Sequence, residues 1–188
     1  MKSVKNHYNL VLILALTVVL ANAQTASSPQ EKIIASEFEN RVREYTKQRE
    51  SIEEGMPKLP KSASAAEIEA HEKALLKAVV NARKGSTKGT IFTPEAEQLI
   101  RSVIGAKYKG QDRMVLRKEL SEAENANVPV RVNSVYPEAA ELLEMPPTLL
   151  LALPQLPKQV RYRFVGTNLL LVDRENHLII DYMTNALP

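Results

Sequence analysis

VRYRFVGTNLLLVDRENHLIIDYM (160–183) divides into three β-prone runs, Val160–Val165, Leu169–Asp173 and Leu178–Met183, parted by Gly166-Thr167-Asn168 and by Arg174–His177. β-Branched and aromatic residues suit a pleated, half-buried surface, and gaps this short join antiparallel neighbours, so the stretch predicts a three-stranded meander. A three-residue first loop sets Val165 opposite Leu169, Arg163 opposite Leu171 and Arg161 opposite Asp173; a four-residue second loop sets Leu178 opposite Asp173. One face then collects Val160, Tyr162, Phe164, Leu170, Val172, Ile179 and Met183, and the other carries Arg161, Arg163 and Asp173 among apolar residues. Side chains alternate with a period of two, so a slip of one residue would re-sort these faces. The middle run is apolar on both sides. It is expected at the centre of the sheet, covered by Leu149–Leu156 and by helices from upstream.

Those helices are legible in the stretch from Gln24 to about Asn125. Ser28-Pro29 is a start signal, a capping residue followed by proline at the first helical position. Ile34, Phe38, Val42 and Tyr45 then form one apolar stripe on a charged helix that fades near Glu54-Gly55. Residues 55–63, with Pro57 and Pro60, are a linker. Ser64 with Glu67 three residues on is a capping box opening a second helix, whose apolar face holds Ile68, Leu75, Leu76, Val79 and Val80. Thr93-Pro94 opens a third, with Leu99, Ile100, Val103 and Ile104 inward, and Asp112 to about Glu124 a fourth, with Val115, Leu116 and Leu120. Each must bury one stripe against a neighbour, as a loose bundle, though the first helix could instead project as an arm. From Val128 the character changes: valines alternate with Pro129 and Arg131, and Tyr136–Pro157 is an irregular segment with too many leucines to leave in water. The expected class is α+β, divided as a leader (1–23), a helix and proline-containing linker (24–63), a helical part (64–127) and a Pro/Leu-rich segment with the meander (128–188).

The leader reads as a cleavable export signal. Lys2 and Lys5 precede the apolar run Leu10–Leu20, and Ala21-Asn22-Ala23 supplies small residues for a peptidase, so cleavage is expected between Ala23 and Gln24. The run is far shorter than the roughly 20 residues of a spanning helix, and no stop-transfer pattern follows, so no stable membrane anchor is expected after cleavage. The chain has no cysteine, which excludes a disulfide framework, a thiol nucleophile, a Cys-based zinc site and a lipidated cysteine anchor. Export without cysteine suits a bacterial periplasm or exterior. Of 25 basic residues Lys2 and Lys5 leave with the leader, so 23 basic face 22 acidic residues in the remainder. That balance points to no nucleic-acid partner held by bulk electrostatics.

FTPEAEQLI (92–100), VNSVYPEAAELL (132–143), PPTLLLALPQLP (146–157) and YRFVGTNLLLVDRENHLIIDYMTNA (162–186) resemble a family of small secreted bacterial proteins. Those proteins end in a Pro/Leu-rich segment and a strand meander of the form YRFVG…D…NLI.D. The resemblance covers the C-terminal half, implies export, and carries no activity with it. More distantly, VGTNLLLVDRENHLIID (165–181) is similar to the C-terminal hairpin of periplasmic nickel and cobalt homeostasis proteins.

Chemistry-bearing residues are sparse. His71 and Glu67 lie four apart on one helix and can offer two metal ligands, or they are an ordinary solvated surface with Glu69, Glu72 and Lys73; no HExxH supports a zinc enzyme. His177 sits in a polar turn where it can meet Asp173, which is short of a catalytic triad. Arg161 and Arg163, two apart on one strand face, can grip a carboxylate or phosphate, and Arg161 can equally pair with Asp173 across the strands. Asp181 falls on the apolar face, where an unpartnered carboxylate is costly: it either reaches water or an arginine, or helps hold a ligand. Gly85–Gly89 (GSTKG) has a superficial likeness to a phosphate loop without its spacing, and reads as an interhelix loop. The candidate binding site is therefore Arg161, Arg163, Asp173, His177 and Asp181, with no catalytic set and no cofactor. The expected function is a non-enzymatic exported module acting through a protein partner or further copies of itself. The rivals are metal or small-ligand handling and a hydrolase with an unrecognised site.

Overall fold

The computed structural model describes residues 28–123, 128–137 and 145–187; the leader with its Ala23-Gln24 junction lies outside them. Among the described residues five helices precede three strands: α1 (Pro29–Glu54), α2 (Ala65–Ala82), α3 (Pro94–Lys107), α4 (Gly110–Glu122), the single turn α5 (Pro147–Leu150), then β1 (Val160–Val165), β2 (Asn168–Asp173) and β3 (Ile179–Met183). The arrangement is α+β. Local chemistry sets the helix starts. Ser28 and Ser64 each accept from the amide three residues on while Glu31 and Glu67 reach back to the capping amide, and Thr93 caps α3 ahead of Pro94.

The strands form one antiparallel sheet in the order β1-β2-β3, with β2 central as its two-sided apolar pattern requires. On one face lie the helices. Phe38 of α1 meets Phe92 at 5.4 Å between ring centroids and stacks on Tyr162 of β1 at 6.4 Å. Around them Val42, Leu75, Val79, Ile100, Ile104, Leu116 and Leu120 pack on Val160, Tyr162, Phe164, Leu169, Leu171, Ile180 and Met183. The α1 stripe is thus part of the body and not an arm. Val115 of α4 and Ile68 of α2, both expected inward, are about half exposed, because Leu116 and Leu120, and Leu75 and Val79, already fill those contacts.

The second face carries Val165, Leu170, Val172 and Ile179 under Tyr136, with Val128 and Val130 beside it. Cover on this side comes from the 128–137 segment, whereas Leu149 and Leu153, expected as a lid, pack with the helices on the first face. The segment also runs beside the outer edge of β3: Asn133 and Tyr136 amides donate to the Ile179 and His177 carbonyls at 2.9 and 2.8 Å, and the Ile179 amide donates to the Ser134 carbonyl at 2.9 Å.

The register differs from the expected one by one residue. The first turn is two residues, not three: Val165 pairs with Asn168 across Gly166-Thr167, and Gly166 takes φ 51°. Two-residue turns with positive φ match the twist of the strands they join, and glycine enters that region without strain. Consequently Tyr162 faces Leu171, Arg163 faces Leu170, Arg161 faces Val172 and Val160 faces Asp173. Leu169 and Leu171 therefore join the core face, where Leu170 and Val172 were expected. In β3 a bulge between the pairs Leu171–Asp181 and Val172–Ile179 inserts Ile180. It sends Ile179 to the second face and keeps Asp181 and Met183 on the first.

Leu171 is fully buried at the sheet centre and Leu151 is 82% exposed in the Pro/Leu-rich segment. Leu171→Ala is expected to cost about 3 kcal/mol in urea-unfolding free energy, and Leu151→Ala less than about 0.5 kcal/mol.

Candidate functional site

Strand alternation and the bulge carry two carboxylates into the helical side of the sheet, and both are 0% exposed. Asp181 receives four amides: Gly89 (2.9 Å) and its neighbour Tyr182 (2.8 Å) on Oδ1, Ile91 (2.7 Å) and Phe92 (2.9 Å) on Oδ2. Gly89 holds φ 87°, which points its amide inward and which an L side chain would resist. The stretch that looked like a phosphate loop does cradle an anion. The anion is the chain's own Asp181. Arg83 extends beside it, donating to the Ile180 carbonyl of the bulge at 2.7 Å and to Asn133 at 3.0 Å.

Asp173 closes the second connection. Its Oδ1 accepts the Glu175 and Asn176 amides at 2.9 and 3.1 Å, shaping the 174–177 turn, while Oδ2 accepts the Tyr45 hydroxyl at 2.7 Å. Arg49, 3% exposed, brings Nε to 3.1 Å from the same oxygen, within ion-pair range though off the hydrogen-bond line, and its terminal nitrogens reach Glu53 and Glu175. Burial, and then the Asp173 carboxylate, push the Tyr45 phenol far above its ordinary range, so it stays a donor. The Arg83 guanidinium lies 5.0 Å over the Tyr45 ring, and desolvation lowers its proton affinity. The sequence places Tyr45 on the apolar stripe of α1, and its motifs point to neither Arg49 nor Arg83. For Arg49 a signal existed: the stripe Ile34, Phe38, Val42, Tyr45 continues through position 49 to Ile52, placing an arginine on an apolar line.

The five expected site residues therefore separate. Asp173 and Asp181 are spent on packing, and Arg161 has no cross-strand carboxylate; its terminal nitrogen lies 3.3 Å from His177 Nδ1. His177 takes φ 53° in its turn, with an arginine where the expected Asp173 contact would be. Glu67 is committed to its cap, whose amide and hydroxyl from Ser64 hold its carboxyl below the usual range. His71 lines a separate acidic cleft with Glu50, Glu53, Glu54 and Glu72. Among the described residues no group of three or more histidines and carboxylates is placed to hold a metal ion, and no helix is long and apolar enough to cross a membrane.

What the structure does bring together is arginine. Arg161, Arg163 and Arg174 line a groove of about 380 Å³ whose other wall is Met145, Pro147, Leu150, Pro154, Gln155 and Leu156. Val160, Arg161, Tyr162 and Arg163 all line it. Consecutive strand residues point to opposite faces, so a groove touching all four must run along the edge of β1. Desolvation, and then the charge of Arg174, lower the proton affinity of Arg161. Among the described residues neither Arg161 nor Arg174 is ion-paired. Leu150 stands partly exposed on the apolar side, and Leu151, next to it in the chain, is exposed. The groove can take an anionic group on one wall and an apolar one on the other.

Asp181→Asn replaces an acceptor with an amide that turns donors toward backbone N–H groups; the expected loss is about 2–4 kcal/mol in urea unfolding. Because folding favours the neutral Tyr45 phenol, its contribution is complete below pH ~10 and is lost as pH rises past the value at which unfolded tyrosines ionise. Tyr45→Phe should cost about 1–2 kcal/mol at neutral pH and flatten the alkaline decline in stability; an unchanged alkaline slope would remove Tyr45 from that account. Comparison with family models, with curated proteins and with solved structures finds no match to this chain.

Proposed function

We propose that this chain is an exported, non-enzymatic interaction module of a bacterial periplasm or exterior, and that the groove beside β1 is its contact surface for a protein partner. The observation that carries the reading is the groove itself: three arginines line it together with a proline- and leucine-rich segment. Arginine beside exposed apolar side chains is a combination favoured at protein contacts. The polar residues that acid–base chemistry would use are engaged elsewhere: Asp173 with α1, Asp181 with the 89–92 loop, Glu67 with its cap. The leader of lysines, an 11-residue apolar run and Ala21-Asn22-Ala23 supports export, and the absence of cysteine supports a bacterial envelope or exterior.

The test places a photo-reactive phenylalanine analogue at position 151, or at exposed position 119 as control, in the full chain expressed in an exporting bacterium. The expected result is a discrete adduct from position 151, absent from position 119 and lost in R161Q/R174Q, with mass spectrometry showing the chain to begin at Gln24. An adduct indifferent to the arginines, or none, would overturn the groove as the contact surface. A retained leader would overturn export.

A further inference from the structure

The arginine groove has an acidic neighbour. A cleft of about 570 Å³ between α1, the 55–63 linker and α2 is lined by five glutamates against one lysine, with Leu59 and Ile68 exposed along it. Arg49 engages Glu53 and Glu175 from within, whereas Glu54 and Glu72 are exposed and, among the described residues, in no ion pair. No carboxylate is among the described residues that line the groove. Groove and cleft meet at one seam. The Arg174 amide donates to the Gln159 carbonyl at 2.8 Å, and Gln159 Nε2 donates to Glu50 Oε1 of the cleft at 2.6 Å. Arg174 and Glu175, consecutive and both exposed, then line the groove and the cleft respectively. A surface cationic on one side of a seam and anionic on the other is complementary to itself after a half-turn about an axis through the seam. A partner of one charge would satisfy one side and be repelled by the other. The chain sets 25 basic residues against 22 acidic ones, so no large net charge holds two copies apart.

We infer that groove and cleft together form a two-fold interface between two copies of this chain, Arg161 and Arg174 of each facing Glu54 and Glu72 of the other. This rests on the groove being the contact surface, and names the protein partner as a second copy. At the axis the consecutive pair Arg174-Glu175 meets the same pair in reverse order, so each arginine faces a carboxylate. Away from the axis, exposed Leu150 and Leu151 on the groove side come against Leu59 and Ile68 of the cleft. Each contact of such an interface occurs twice, and the apolar ones withdraw surface from water that the single chain leaves exposed. The buried side chains of β1 take no part: Arg174, Glu54 and Glu72 are exposed and Arg161 is half-buried. Charges at that exposure contribute recognition and rate more than tight binding, so the dimer is expected to be modest in affinity and sensitive to salt.

Sedimentation equilibrium and light scattering, on the chain purified from an exporting bacterium, read the association. The expected result is a monomer–dimer equilibrium with a dissociation constant of about 100 μM or below in dilute salt, raised ~10-fold or more in about 0.5 M salt. R161E/R174E and E54R/E72R should each stay monomeric up to ~1 mM, because like charges then face one another, with the dispersed nuclear magnetic resonance spectrum of the folded chain retained. Should R161E/R174E fail to fold, R174E alone, at an exposed position, is expected to raise the dissociation constant ~10-fold or more. Mixed in equal amounts, the two double variants should pair with each other, since their reversed charges complement at both contacts. A wild-type chain that stays monomeric at ~1 mM, a dimer indifferent to the reversals, a mixture that does not pair, or assemblies larger than dimers would overturn the two-fold interface. If the arginine-dependent adduct from position 151 joins the chain to a different protein while the purified chain is monomeric, the second copy alone fails and the contact surface stands. Loss of both the adduct and the dimer removes the groove.

Discussion

A carboxylate stripped of water must be repaid in hydrogen bonds, and this sheet buries two of them. Asp173 at the end of β2 and Asp181 on β3 opposite Leu171 both lie on the helix-facing side, each at zero exposure, and each is answered by a different helical element. Tyr45 and Arg49 of α1 answer Asp173; the Gly89–Phe92 loop ahead of α3 answers Asp181. Apolar contacts between helices and sheet could slide by a side chain at modest cost. Three loop amides aimed at one carboxylate could not. These two polar anchors therefore fix where the helical part sits on the meander, and Arg83, reaching from the end of α2 to the bulge carbonyl of Ile180, adds a third point on the same side.

The bulge gives the anchors their reach. Strict alternation through β3 would place Ile179 on the same face as Asp181; the extra residue at Ile180 divides them, so that Ile179 fills the second face under Tyr136 while Asp181 turns to the loop. The carbonyl exposed by the bulge is the one Arg83 takes. The two-residue turn at Gly166-Thr167 similarly decides which leucines of β2 meet the helices. Each is a change of one residue, and each re-sorts a strand.

The groove beside β1 is a by-product of the same layout. With the helices on one face, residues 128–137 on the other and residues 133–136 beside β3, the edge of β1 faces the Pro/Leu-rich segment across a gap. The turn that Asp173 shapes carries Arg174 to the end of that gap, beside Arg161 and Arg163. The anchoring carboxylate and one arginine of the cationic wall are thus consecutive residues, one buried and the other at the surface.

Legibility in the sequence follows the range of the interaction. Helix starts at Ser28, Ser64 and Thr93 rest on contacts three residues apart, and the three β runs and the central place of the middle one rest on composition; all are readable from the residues alone. That Arg161 and Arg163 share a strand and a groove was readable because their spacing of two is itself the strand period. Arg174 was not, since nothing local says that its turn folds back along β1. Nor could the sequence tell that Asp173 and Asp181 were anchors and not ligand holders. That depended on a turn of two residues instead of three, on one inserted isoleucine, and on donors 89 to 128 positions away in the chain. Local hydrogen bonds and periodicity determined the elements; only the tertiary structure decided which polar groups were satisfied inside and which were left at the surface, because that choice is made by long-range contacts that no sequence window contains.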